Sequence, residues 1–170
     1  MKKIGFFGGS FDPIHFGHLN LAIEMLEKHG LDEILFCPAF CSPFKIDRPP
    51  VASPEHRLEM LKLVLADVPQ FRLSSLEIER RITSYTIETL KKLPFAQYRL
   101  LLTRESAESF SKWRDPQEIE RLAPLLIGER TLPISSTEVR ERLKKKLYCG
   151  HLVPEKALYY IGKHCLYLGK

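Results

Sequence analysis

The sequence predicts an α/β fold in which a five-stranded, mostly parallel sheet is flanked by helices and further helices close the C-terminal end. Short β-branched or aromatic runs alternate with amphipathic stretches, the sequence form of βα units around a parallel sheet. The first strand-like run passes through Gly8-Gly9 into the first helical stretch, and in such sheets ligands gather at the strands' C-terminal ends. The length of 170 residues, 44% apolar and 28% charged, suits one domain with an ordinary core. Within that single domain, residues 1–134 form the expected sheet-and-helix core and residues 135–170 a helical segment.

The elements follow in order. Lys3–Phe7 is a strand, followed by Gly8-Gly9 and a turn at Asp12-Pro13. A helix is predicted from about Gly17 to His29, because Leu19, Ala22, Ile23 and Leu26 recur at helical spacing and Gly30 sits where a C-terminal cap belongs. Glu33–Cys37 is the second strand. Pro38, Pro43, Pro49 and Pro50 then make a long stiff loop, a candidate binding edge. Ser53-Pro54 opens a helix, with serine as cap and proline at the first helical position, and Leu58, Leu61 and Leu65 continue it. Phe71–Leu73, Tyr98–Leu102 and Pro124–Ile127 are short strands. Thr83–Leu93, Pro116–Leu122, Ser136–Lys146 and Pro154–His164 are helices.

Composition narrows the function. No stretch approaches the roughly 20 apolar residues of a membrane span, and the short apolar run after Met1-Lys2-Lys3 stops at Asp12, which argues against a secretory signal. Cys37, Cys41, Cys149 and Cys165 show neither a C-x-x-C pair nor zinc-finger spacing, so they read as reduced thiols and the chain as cytoplasmic. The net charge of +5 is uneven: 18 basic and 18 acidic residues lie in 1–136, against 8 and 3 in 137–170. Lys144-Lys145-Lys146, with Arg140 and Arg142, lacks interleaved aromatics, so it reads as a solvated face and no nucleic-acid partner is expected.

Two motifs carry chemistry. Gly8-Gly9-Ser10-Phe11-Asp12-Pro13-Ile14-His15-Phe16-Gly17-His18 occupies the first strand-to-helix connection, where glycines admit close approach of backbone to a ligand and the helix start offers free N–H groups. It is neither a P-loop nor G-x-G-x-x-G. At a spacing of three, His15 and His18 can face one side of the helix start and donate to phosphate oxygens. A zinc site would need a third ligand, and the sequence shows no obvious one. The second motif, Ile134-Ser135-Ser136-Thr137-Glu138-Val139-Arg140, starts a helix. Ser135 and Glu138 have capping-box spacing, and Arg140 lies one turn after Ser136 on the same face, so hydroxyl, amides and guanidinium could converge on one anion.

Together, in this order, G-G-S-F-D-P-I-H-F-G-H and I-S-S-T-E-V-R resemble the bacterial nucleotidyltransferase family that joins AMP to small phosphate-bearing acceptors. The resemblance implies a Rossmann-like three-layer sandwich and an ATP site of Gly8, Gly9, Ser10, Phe11, His15, His18, Ile134, Ser135, Ser136 and Arg140. Of these, His15, His18 and Arg140 would be the catalytic residues. Ser84-Tyr85-Thr86-Ile87-Glu88-Thr89-Leu90, preceded by Glu77 and Arg81, resembles the Ser-Tyr-Thr segment of nicotinate mononucleotide adenylyltransferases. Pro43-Phe44-Lys45 resembles their loop lysine, Trp113 falls where their acceptor-site tryptophan belongs, and L-V-P-E-K-A-L-Y-Y-I-G-K-H-C-L-Y resembles their ending. This implies an acceptor site of Lys45, Ser84, Tyr85, Thr86, Glu105 and Trp113. It also implies Mg²⁺ accompanying ATP, with no metal site of the protein's own.

The residues themselves suit that acceptor: amides at a helix start favour a carboxylate, Trp113 can flank a pyridine ring and Lys45 can meet a phosphate. Two departures stand out. Thr103-Arg104-Glu105 replaces the family's Gly-x-Asp, and only Gly128–Pro133 joins the last strand to the second motif. The competing readings are a phosphopantetheine adenylyltransferase, a non-catalytic nucleotide sensor and a metal-dependent hydrolase; the sequence leaves a homo-oligomer open.

Overall fold

The computed structural model describes residues 1–129 and 131–169; Arg130 of the short Gly128–Pro133 connection, and Lys170 at the end of the C-terminal segment, lie outside them. Five strands, β1 (Lys3–Gly9), β2 (Glu33–Pro38), β3 (Phe71–Leu73), β4 (Gln97–Thr103) and β5 (Leu125–Gly128), form one sheet in the order β3-β2-β1-β4-β5. Every pairing is parallel, so the sheet is more regular than the mostly parallel one expected. The helices are α1 (Phe16–Lys28), α2 (Pro54–Leu65), α3 (Leu76–Arg80), α4 (Thr86–Leu90), α5 (Arg104–Glu108), α6 (Pro116–Leu122), α7 (Ser136–Lys144) and α8 (Glu155–Lys163).

Period-two alternation sorts the strand side chains onto two faces. Phe7, Ile34, Phe36 and Leu101 pack beneath α1, α2, α7 and α8, whereas Phe6, Cys37, Leu100 and Leu102 pack beneath α4 and α6. This gives the three layers. β1 lies in the middle, with β2 on one side and β4 on the other, so the strand order reverses between β1 and β4. A crevice opens outside the carboxyl ends of strands at such a reversal.

Local signals held where chemistry dictated them. Ser53 caps α2 by accepting from the His56 amide at 3.3 Å, with Pro54 at its first position. Gly30, just past α1, has φ +56°, a left-handed conformation that glycine takes without steric cost. The buried stripe of α1 is Leu21, Ala22 and Met25, rotated from the one expected, and Ile23 faces solvent.

The largest difference is in 76–93. The expected helix Thr83–Leu93 is helical only over α4; ahead of it lies α3, which was not expected, with left-handed Arg81 and a bridge between Thr83 and Cys41 separating the two. That bridge, with the Ser84 amide donating to Cys41 O at 2.8 Å, spends the residues that would have begun a longer helix. Helix α5 was not expected. It exists because Thr103 Oγ1 accepts from the Ser106 amide at 3.3 Å, an N-cap that glycine could not supply.

Candidate active site

Two cavities meet at the carboxyl ends of β1 and β4. The first, about 590 Å³, lies between the loop after β1 and the start of α7; Ser10, Phe11, Asp12, His15, His18, Ser135, Ser136, Thr137 and Arg140 line it. The second, about 300 Å³, extends over β4 and is walled by Gly8, Gly9, Ser84, Tyr85, Thr86, Thr103, Trp113 and Arg114. Ser10, Phe44 and Lys45 line both.

The histidine pair begins α1. His15 precedes the helix with extended backbone, and its amide donates to His18 Nδ1 at 3.3 Å. Accepting at Nδ1 places the proton of a neutral His18 on Nε2. The two rings stack with centroids 3.7 Å apart. Gly17 makes the stacking sterically feasible, since a Cβ there would lie 3.1 Å from the His15 ring.

Helix α7 is stitched to the same loop. Ser135 Oγ accepts from the Glu138 amide at 3.1 Å, the serine half of the expected capping box. Ser136 Oγ donates to Pro13 O at 3.1 Å, and Arg140 Nη1 donates to Asp12 O at 2.7 Å. The serine hydroxyl and one guanidinium nitrogen expected to converge on an anion are thus used to join the two motifs. Ile134 is buried in the core and positions Ser135 rather than lining the cavity.

The loop after β1 is held from below by two charges that the motif reading missed. Asp12 is 4% exposed and its carboxylate accepts from the amides of Val51 at 2.7 Å and Ala52 at 3.0 Å and from the Tyr167 hydroxyl at 2.7 Å. Arg57 is fully buried and donates to the carbonyls of Ser10, Ala39, Phe40 and Ala52. A signal for Arg57 existed: it occupies the i position of a stripe continued by Met60, Leu61, Val64 and Leu65, where an apolar residue would be ordinary.

Lys45 sits in a 3₁₀ turn capped by Ser42, and its Nζ donates to Ser10 Oγ at 3.1 Å. The residue is exposed, yet desolvation of its charge and then repulsion by Arg140 lower its pKa, against the pull of Asp12. In the second cavity Ser84 Oγ accepts from the Phe40 amide at 3.0 Å, so it fastens the wall as well as lining it. Tyr85 lies under the Arg114 guanidinium, 4.9 Å from its ring, and Glu88 holds Arg114 at 2.8 Å and also pairs with Arg80. The Trp113 Nε1 is buried with no hydrogen-bond partner among the described residues. Glu77 lies buried beneath, accepting from Thr89 Oγ1 at 2.7 Å; burial raises its pKa against the hydroxyls of Thr89 and Ser84. Glu105 is not brought to the cavity. The Thr103 cap starts α5 there, Arg104 pairs with Glu129, and Glu105 is exposed while Thr103, Ser106 and Ser109 form the lining.

Paired imidazoles at one helix start, an arginine at another and a ringed cavity beside them are the construction of an enzyme that handles nucleotides. Residues 6–142 match the Cytidylyltransferase-like family. The chain is 37% identical to the nicotinate-nucleotide adenylyltransferase of Bacillus subtilis (strain 168), over 98% of this chain and 99% of that one. Within the cytidylyltransferase-like class, the chain therefore belongs to the nicotinate-nucleotide adenylyltransferase family. Its fold is shared with the Plasmodium falciparum nicotinic acid mononucleotide adenylyltransferase complexed with NaAD (TM-score 0.76, 19% identity, 98% of each chain). The same Plasmodium enzyme complexed with APC superposes with a TM-score of 0.74 at 20% identity, again over 98% of each chain.

Proposed function

We propose that the chain transfers the AMP moiety of ATP to nicotinate mononucleotide, giving deamido-NAD and pyrophosphate. The observation that carries this reading is that Ser10 and Lys45 belong to both cavities, so a phosphate bound in each would meet between them. In the reaction an acceptor phosphate oxygen attacks the α-phosphorus of ATP as the bond from that phosphorus to the pyrophosphate oxygen breaks. The nucleophile is already ionised at neutral pH, and the protein's task is to bring two anions together in line.

The His18 Nε2 proton and the remaining N–H groups of Arg140 donate to phosphate oxygens as charge moves to the leaving group. Lys45 neutralises the charge between the two substrates. Tyr85 and Thr86, at the start of α4, meet the nicotinate carboxylate, and Trp113 flanks the pyridine ring with Nε1 available to donate. Mg²⁺ would fit as an ion carried in on ATP: the described residues hold no cluster of three or more ligating side chains, and the Asp12 carboxylate beside the phosphate cavity already has three donors. It supplies further neutralisation of phosphate charge when bound.

No described helix is long and apolar enough to cross a membrane, and the reading places the reaction in the cytoplasm. Pyrophosphate release tests the function, with ATP and Mg²⁺ against nicotinate mononucleotide, nicotinamide mononucleotide and phosphopantetheine, and mass detection of products. The dinucleotide mass with nicotinate mononucleotide is expected. Folded protein that binds ATP but releases nothing with all three acceptors would refute it.

A further inference from the structure

We propose that Tyr167 is a positioning residue for the phosphate side of this site: its hydroxyl occupies the Asp12 carboxylate and so keeps the Arg140 guanidinium available to the nucleotide. The inference rests on the ATP reading above. Tyr167 lies in the turn after α8, 155 positions from Asp12 in sequence, yet its hydroxyl donates to Asp12 Oδ1 at 2.7 Å. The Ala52 amide donates to the same oxygen at 3.0 Å and the Val51 amide to Oδ2 at 2.7 Å. Arg140 Nη1 stands 3.7 Å from Oδ2 and instead donates to the main-chain oxygen of Asp12 at 2.7 Å. The guanidinium is docked by that carbonyl and, through Nη2, by Thr137 Oγ1 at 3.2 Å, beside a buried carboxylate that three other donors already engage.

The choice of a phenol is physically apt. Arg57, Arg140 and Lys45 already crowd this end of the cleft, and a neutral donor engages Asp12 without adding a fourth positive charge that would compete for the nucleotide. The backbone supports a specific role for this contact. Cys165 has φ +51° and Tyr167 φ +62°, left-handed values that cost a non-glycine residue energy and persist only where surroundings impose them. The Tyr167 ring packs on the core shared by α1, α2, α7 and α8, which fixes where the hydroxyl lands. Without that hydroxyl, Oδ1 loses one of its two donors in a buried setting, and Arg140, whose Nη1 already stands 3.7 Å from Oδ2 of the same carboxylate, is drawn toward it. Moving toward the carboxylate would take it from the phosphate cavity.

Tyr167→Phe keeps the packed ring and removes only the donor. In steady-state assays the KM for ATP should rise about tenfold, the scale of one hydrogen bond to a charged group, while the KM for nicotinate mononucleotide moves less than about twofold. In an Arg140→Ala background, Tyr167→Phe should leave the KM for ATP unchanged, because the group it acts through is gone. A merely structural anchor predicts the opposite: both Michaelis constants moving together, or equal effects with and without Arg140. Either result, or an unmoved KM for ATP in the single variant, overturns the proposal while leaving the ATP reading in place. A wild-type protein that neither binds nor turns over ATP overturns both.

Discussion

The two cavities of the cleft are held by different physics. On the phosphate side, the loop after β1 rests on Asp12 and Arg57, both buried, and seven hydrogen bonds fix those two side chains. On the acceptor side, large wall side chains are exposed: Phe44, shared with the first cavity, is 56% exposed and the Arg114 side chain 55%, and among the described residues Arg114 rests on Glu88 and the Tyr85 face. The difference fits the ligands. Polyphosphate needs donors at fixed positions before it arrives, whereas a flat ring can be received by side chains that adjust. It teaches that the same cleft can be rigid where charge is handled and adaptable where shape is read.

The largest expected effect breaks that comparison at its strongest point. Replacing Arg57 with Met removes a buried charge and leaves four carbonyls short of a donor, and should cost about 3–5 kcal/mol of stability. Glu88→Gln on the acceptor side breaks partly exposed, solvent-screened ion pairs and should cost far less. Denaturant unfolding of both variants measures the contrast. Equal costs would mean that the two walls are held alike.

Next in size is the chemistry itself. On the proposed reading His18→Ala removes a donor to the phosphates, and it should lower kcat by about two to three orders of magnitude with little change in unfolding midpoint. Trp113→Ala should raise the KM for nicotinate mononucleotide by about tenfold and leave the KM for ATP within about twofold, as loss of a stacked ring predicts. Single-turnover rates and separate titrations of each substrate distinguish the two. A Trp113 variant that weakens both substrates equally would merge the cavities into one functional unit.

How much of this could be read from the chain follows the same division. The sheet, its five strands and most helix starts were legible, because alternation and caps such as Ser53-Pro54 are local. So was the grouping of His15, His18, Ser135 and Arg140, which the structure brings to one cavity, since glycines and paired polar residues at a strand-to-helix turn are unusual enough to single out. The supports were not legible in the same way. Tyr167 reaches Asp12 across 155 positions, and nothing local to either residue announces the pair. The start of the expected helix Thr83–Leu93 failed for a similar reason: helical periodicity was present and holds over α4, but the pairing of Thr83 with Cys41, far away in sequence, overrode it before Thr86. Glu105 stands exposed outside the cavity lining through a local event that a single substitution hides, the cap that Thr103 provides for α5.

The smallest expected effect sharpens the contrast between the buried charges on the two sides. Asp12 sits among amide and phenol donors with arginines close by, whereas Glu77 has chiefly the hydroxyls of Thr89 and Ser84, and burial raises its pKa above the ordinary 4.5. A carboxyl with a raised folded pKa binds its proton more tightly in the native state. Its stabilising contribution is full below the unfolded pKa and is lost as pH rises through the folded one. At neutral pH the wild type therefore carries a penalty that Glu77→Gln, which keeps an acceptor for Thr89, does not. The variant should melt above the wild type at pH 7, and the gap should close as pH falls below about 4.5, where Glu77 is protonated in both states. Taking the difference between the two proteins cancels the other carboxylates. A gap that stays constant across that range would show that folding leaves the proton affinity of Glu77 unchanged and that its burial carries no penalty at neutral pH.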